Sequence, residues 1–181
     1  ADIITGNGAT LQQMIEPTTQ YGVARVQRDF REGRSAIGLI GTGVVRSDND
    51  AAELDIHNNA VTGGIDFRHR FGGDNYQVSG YVLGSRVAGT ESAIARTQRA
   101  PGRYMQRPGV DHLAYDPTRT SLSGVSASAS FGKISGGFWR YSAGFQTRSP
   151  EFESNDIGFL RDVDFTVGYG WVGYQHYLPT K

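Results

Sequence analysis

The chain has 181 residues, with 18 Lys+Arg against 18 Asp+Glu and a formal net charge of zero, so bulk charge gives no argument for nucleic acid or an anionic membrane surface. It has no cysteine, which excludes a disulfide framework, a thiol nucleophile and a thiolate metal site. No run approaches the ~18 apolar residues of a membrane helix, yet a mean hydropathy of −0.42 does not exclude membrane strands, which need only ~9–11 residues, half of them apolar.

In chain order, residues 1–19 read as an N-terminal extension or external loop, broken by Gly6 and Gly8. Strands are expected at about 20–30 and 34–46. Both alternate weakly: Val23 and Val26 fall on opposite parities, and Ser35 to Val45 is apolar on both. A third strand, 62–71, sets Ile65, Phe67, His69 and Phe71 against Asp66, Arg68 and Arg70. A fourth, 75–88, sets Tyr76, Val78, Gly80 and Val82 against Gln77, Ser79 and Tyr81. Helical periodicity is confined to one or two turns over Ala93 to Arg99. A fifth strand, 119–133, alternates Val125, Ala127, Ala129 and Phe131 with Gly124, Ser126, Ser128 and Ser130. The sixth, 136–148, alternates Trp139, Tyr141, Ala143 and Phe145 with Arg140, Ser142, Gly144, Gln146 and Arg148. The seventh, 161–178, alternates Val163, Phe165, Val167, Tyr169 and Trp171 with Asp162, Asp164, Thr166, Gly168 and Gly170; residues 179–181 are a tail.

A strict period of two marks strands with an apolar and a wet side. The wet side holds Arg, Asp, Gln and Ser rather than a second apolar layer, and the connections alternate short (31–34, 72–74, 134–136) and long (about 47–61, 89–118, 149–160). Such alternation fits the two ends of an outer-membrane barrel. The expected fold is therefore all-β, an antiparallel transmembrane β-barrel of about seven strands. Trp139, Tyr141, Phe145, Phe165, Tyr169 and Trp171 are expected on the lipid side, with Arg68, Arg70, Arg140, Gln146 and Arg148 in the lumen. Phe138, Tyr174 and Tyr177 lie near strand ends, where rings form an interfacial girdle. Complete bacterial barrels have an even strand count, so seven strands read as a segment of a larger barrel, with a missed strand near Ile3 to Ile15 as the rival reading.

Candidate chemistry is sparse. Arg96, Arg99, Arg103 and Arg107, with Tyr104, form a basic and aromatic loop. Guanidinium forks bind carboxylates and phosphates, so the loop reads either as a site for an anionic ligand or lipopolysaccharide, or as a segment folded into the lumen with its arginines paired to wall acids such as Asp66 or Asp164. The second reading fits better, since charge ladders are ordinary in barrel lumens. Asp48, Asp50, Glu53 and Asp55 could hold Ca²⁺ weakly, but no Gly stands where an EF-hand loop requires one. Asp111, His112 and Asp116 merit the same discount. The four histidines, at 57, 69, 112 and 176, show no metalloprotease spacing. Gly38 to Gly43 lacks the Lys-Ser/Thr of a phosphate loop. Ser126 lacks the final Gly of a nucleophile elbow. Glu151 with Glu153, and Asp162 with Asp164, share strand faces without fixing a glycosidase gap. No catalytic residue, cofactor or metal is expected.

Several segments together carry a resemblance: YGVARVQRDF (21–30), TGGIDFRHRF (62–71), ARTQR (95–99), RYMQRP (103–108), DPTRTS (116–121) and NDIGF (155–159). Over about 20–178 the chain resembles the barrel portion of a Gram-negative family of unknown function. Members of that family pair a domain like family-nine carbohydrate-binding modules with a barrel akin to TonB-dependent receptors. The resemblance implies outer-membrane location and transport or surface binding of glycan-related ligands; contact with membrane lipid is what the apolar parity of the strands predicts. It brings no catalytic residues. The expected function is a non-enzymatic outer-membrane wall, in transport, binding or as a structural subunit, completed by further strands of its own barrel or another subunit and without nucleic acid. The alternative is a soluble β-sandwich carbohydrate-binding module.

Overall fold

The structure, a computed structural model, describes residues 14–176 in full, together with the backbone of 2–4 and 10–12. Two short strands, β1 (Asp2–Ile4) and β2 (Thr10–Gln12), pair with each other. They occupy the stretch read as a possible eighth wall strand and do not join the main sheet. That sheet is one open antiparallel layer in chain order: β3 (Thr19–Phe30), β4 (Ser35–Arg46), β5 (Asn59–Phe71), β6 (Tyr76–Ala88), β7 (Ser121–Lys133), β8 (Trp139–Arg148) and β9 (Phe165–Tyr174). Each expected strand is present with its ends moved by a few residues. Tyr177 and the last part of the expected seventh strand lie outside the described residues.

Short turns join β3–β4, β5–β6 and β7–β8 at one end of the sheet. Gly72 and Gly73 take φ of +62° and +67° in the second of these turns, a region that excludes most side chains. Long connections join the other pairs at the opposite end, and two of them contain helices, α1 (Asp48–Glu53) and α2 (Glu91–Arg99). Thr90 caps α2, its hydroxyl accepting from the Ala93 amide at 3.2 Å. Helix α1 was not expected. Its six residues expose Asp48 and Glu53, half-bury Asp50 and bury Ala51, a pattern too short to show as a period.

Directly opposed residues of an antiparallel pair share a face, so the register sorts the strands. One face carries Ile37, Leu39, Val61, Ile65, Phe67, Val82, Val125 and Phe145, all on interior strands and yet 42–56% exposed. The other carries Arg68, Arg70, Gln77, Ser79, Ser128, Ser130, Arg140, Gln146 and Arg148. The five expected lumen residues thus fall together.

The six aromatics expected on the lipid side do not. Phe165 opposes Arg148, Tyr169 opposes Gly144 and Trp171 opposes Ser142, so these three lie on the polar face. Trp139, Tyr141 and Phe145 lie on the apolar one, opposite Tyr174, Val172 and Gly168. The physical reason is that alternation fixes only that neighbours point apart; which parity faces which way is set by pairing to β8.

The buried core is small and sits at the long-loop end of the polar face. Val44, Ala60, Val87 and Leu122 meet Ile94 of α2. Gly124 lies so close to the next connection that an added Cβ would stand 2.2 Å from the Phe152 amide nitrogen.

Candidate functional site

The long connections fold back on the sheet and are held by buried charge. Arg103 and Glu153, 5% and 4% exposed, pair at 2.7 Å. Arg103 also donates through Nε to the Pro150 carbonyl at 3.1 Å and through Nη2 to that of Phe152, so its whole fork is engaged. Glu153 accepts from the Asn155 amide at 2.7 Å. Charges this deep are tolerated because all three guanidinium nitrogens and both carboxylate oxygens have a partner.

A second cluster lies beside it. At the end of β4, Arg46 donates through Nη1 to Asp156 (2.5 Å) and to the His57 carbonyl (2.9 Å). The His57 ring joins Asp156 through Nδ1 and Thr97 through Nε2, both at 2.8 Å. Burial pushes the Asp156 carboxyl up, but the hydrogen bond and charge of His57, and then those of Arg46, outweigh it and hold the group below the usual carboxylate range. A Thr–His–Asp row invites comparison with hydrolase triads. Here Thr97 Oγ1 donates to the Ala93 carbonyl at 3.1 Å, so its proton is directed into the helix backbone and not toward His57. The row ties α2, the 54–58 segment and the 149–164 connection together.

These elements border an open cavity of about 520 Å³. Its polar lining comes from Arg46, Asp55, His57, Arg96, Arg103, Asn155 and Asp156, among others. The spacing of these residues over 110 positions gave no signal in the sequence. Only pairing of β4, β5 and the connections brings them together.

The five loop residues singled out from sequence do not converge. Arg96 and Arg103 line the cavity. Arg99 lies over the Tyr115 ring, 6.0 Å from its centroid. Tyr104 is exposed, with φ of +46°. Arg107 pairs with Asp164, which His112 also contacts at 2.9 Å. The Arg107 partner thus stands in the connection just before β9 and not in the sheet, whereas Asp66 of β5 pairs across β4 with Arg25 of β3, at 3.0 Å. Among the described residues no acid and histidine cluster could hold a metal, and Asp48 instead accepts from Asn58 at 2.7 Å. Asp116 accepts from the amide and hydroxyl of Thr118, at 2.9 and 2.7 Å, in a local turn.

The apolar face has its own pattern at the short-turn end. His69, Phe71, Tyr76, Phe131 and Tyr141 form a continuous row of rings with centroids 5.6–6.3 Å apart. Trp139 meets Tyr174 edge-on at 5.2 Å in the same zone. His69 is anchored there by Ser35, 2.8 Å from Nδ1.

Residues 2–181 match a family described as a domain of unknown function, DUF5916. No curated protein and no solved structure matches the chain.

Proposed function

The chain belongs to the DUF5916 family of unknown function, and we propose that it forms part of the wall of an outer-membrane β-barrel, with its long connections outside the cell. One observation carries this reading: the apolar face is bounded at both ends. On β7 the apolar run Val125 to Phe131 is closed by Ser123 at the loop end and Lys133 at the turn end. On β6 Arg86 closes the loop end, and on β3 Arg28 closes the turn end. The ten steps from Ser123 to Lys133 span ~34 Å along a strand. Tilted by ~40°, that is ~26 Å across a bilayer, close to the ~25 Å apolar band of outer-membrane barrels. The row of rings at the turn end sits at the depth of an interfacial girdle. A second sheet packed over this face would need no charged boundary at that spacing, which weighs against the soluble sandwich.

The open edges add a requirement. In hydrocarbon, unpaired backbone groups cost several kcal/mol each, so β3 and β9 need partners. Both run from the loop end to the turn end, and antiparallel closure therefore takes an odd number of further strands between them. On this reading the wall is non-enzymatic. It meets lipid on one face and lines a wet lumen on the other, in the transport or surface binding of glycan-related material.

The test is gel mobility of the protein from an outer-membrane fraction, boiled against unboiled. A heat-dependent shift is expected. Recovery in the soluble fraction with no shift would overturn the membrane reading and put the sandwich first.

A further inference from the structure

The cavity beneath the long connections has an imbalance that its structural role leaves over. Two of its carboxylates are spent on the wall. Asp156 gives one oxygen to Arg46 and the other to His57, and Glu153 serves Arg103 and the Asn155 amide. Asp55 accepts from Ser92. The donors are not balanced in the same way. Arg96, exposed on α2 and lining the cavity, makes no hydrogen bond or ion pair with any described residue. Asn155 uses its side-chain oxygen to accept from the Leu160 amide at 2.7 Å, leaving its NH₂ free. Arg46 commits only Nη1. The lining thus offers a surplus of N–H groups, one of them a complete guanidinium fork, and few free acceptors.

We infer that this cavity binds a small polar molecule carrying an oxoanion, a carboxylate or a phosphate, with Arg96 as its bidentate partner and Asn155 as the second donor. The chemistry follows from the surplus. A wall whose uncommitted groups are mostly donors pairs with an acceptor-only group, and a planar fork matches two oxygens on one centre. The volume of about 520 Å³ lies in the range of small-molecule sites, roughly 300–1,000 Å³, well beyond what a bare ion fills. No Phe, Tyr or Trp lines it, and the one ring there, His57, is held edge-on by Asp156 and Thr97 through its two nitrogens, so the lining lacks the broad aromatic platform that stacks on an uncharged sugar. Its rigidity comes from the Arg103–Glu153 and Arg46–Asp156–His57 clusters, which fix the walls before the ligand arrives. Because those residues are the frame, Arg96 is the side chain whose loss removes binding without removing the fold. The inference does not depend on the membrane reading, since every lining residue lies on the connections or at a strand end.

The full chain, in detergent, would be titrated calorimetrically with inorganic phosphate, with glucuronate and with uncharged glucose. Saturable binding of phosphate or glucuronate is expected, with none for glucose, and the anion that binds identifies the group recognised. Arg96→Gln should weaken that binding at least tenfold. Arg99→Gln, whose side chain lies over Tyr115 outside the cavity, should leave it unchanged. Circular dichroism would check that both variants stay folded. Absence of saturable binding by either anion, glucose binding as well as glucuronate, or equal affinity in Arg96→Gln and the parent would each overturn the inference.

Discussion

The two ends of the polar face solve the same problem in opposite ways. At the short-turn end, Arg68, Arg70, Gln77 and Arg140 form a half-buried polar layer on the sheet. At the long-loop end the same face turns apolar, with Val44, Ala60, Val87 and Leu122 covered by Ile94, and the connections above are riveted by buried ion pairs. An apolar cluster is buried on this face where loops supply a lid. The difference teaches that this sheet is not organised round a central core: among the described residues its packed cluster closes one end, and the broad apolar face stays exposed.

The largest expected effect bears on the loop end alone. Glu153→Ala strips Arg103 of its counter-charge at a buried site, which costs about 3–5 kcal/mol. Limited proteolysis should then cut within 89–120 while heat-dependent gel mobility of the wall persists. Simultaneous loss of both would show that the ends are not separable.

Next come the faces. Ala127→Arg on the apolar face should cost about 2–4 kcal/mol of membrane-inserted stability if it lies near the midplane. Ser128→Arg should be tolerated, and so should Val167→Arg, because β9 carries Val167 opposite Gln146. Urea unfolding of the three variants in vesicles would rank them. Equal costs for Ala127→Arg and Ser128→Arg would abolish the distinction between faces.

A smaller effect sharpens where sheet and lid touch. Gly124→Ala pushes a methyl into the Phe152 backbone and, as overpacking, should cost about 1–3 kcal/mol. Hydrogen exchange should quicken around 149–156 and stay unchanged at the short turns.

The smallest concerns pH. The Asp156 carboxyl is held below its ordinary value, so its ionised form stabilises the lid at every pH above the unfolded value of ~3.9. That contribution fades as the pH falls from there through the lower folded value. Asp156→Asn should flatten this acid limb of lid stability, read by protease sensitivity between neutral and acid pH. An unchanged acid limb would remove Asp156 from the lid's support.

Much of the sheet was legible because alternation is a local property. Trp139 to Arg148 and Val125 to Phe131 announce strands residue by residue, and turns such as Gly72-Gly73 punctuate them. The facing of β9 was not legible. Its odd set, Phe165 to Trp171, is the more aromatic, yet its partners are Arg148, Gln146, Gly144 and Ser142, and pairing across strands leaves no mark within one strand. The site was less legible still. Arg103 and Arg96 stood out as charges in a long loop, but Arg46, His57, Thr97 and Asp156 meet only through the fold. Asp156 carried no warning beyond its place in the segment 155–159.

The two tryptophans test the central claim most directly, since Trp139 lies on the apolar face and Trp171 on the polar one. Single-tryptophan variants, Trp171→Phe and Trp139→Phe, would be reconstituted into vesicles containing brominated lipid, and their fluorescence compared with that in ordinary lipid. A lipid-contacting apolar face and a wet polar face predict strong bromolipid quenching of Trp139 and weak quenching of Trp171, with the order reversed for aqueous acrylamide. Trp139 untouched by brominated lipid, or Trp171 quenched equally, would contradict a sheet with one side in lipid and the other in water.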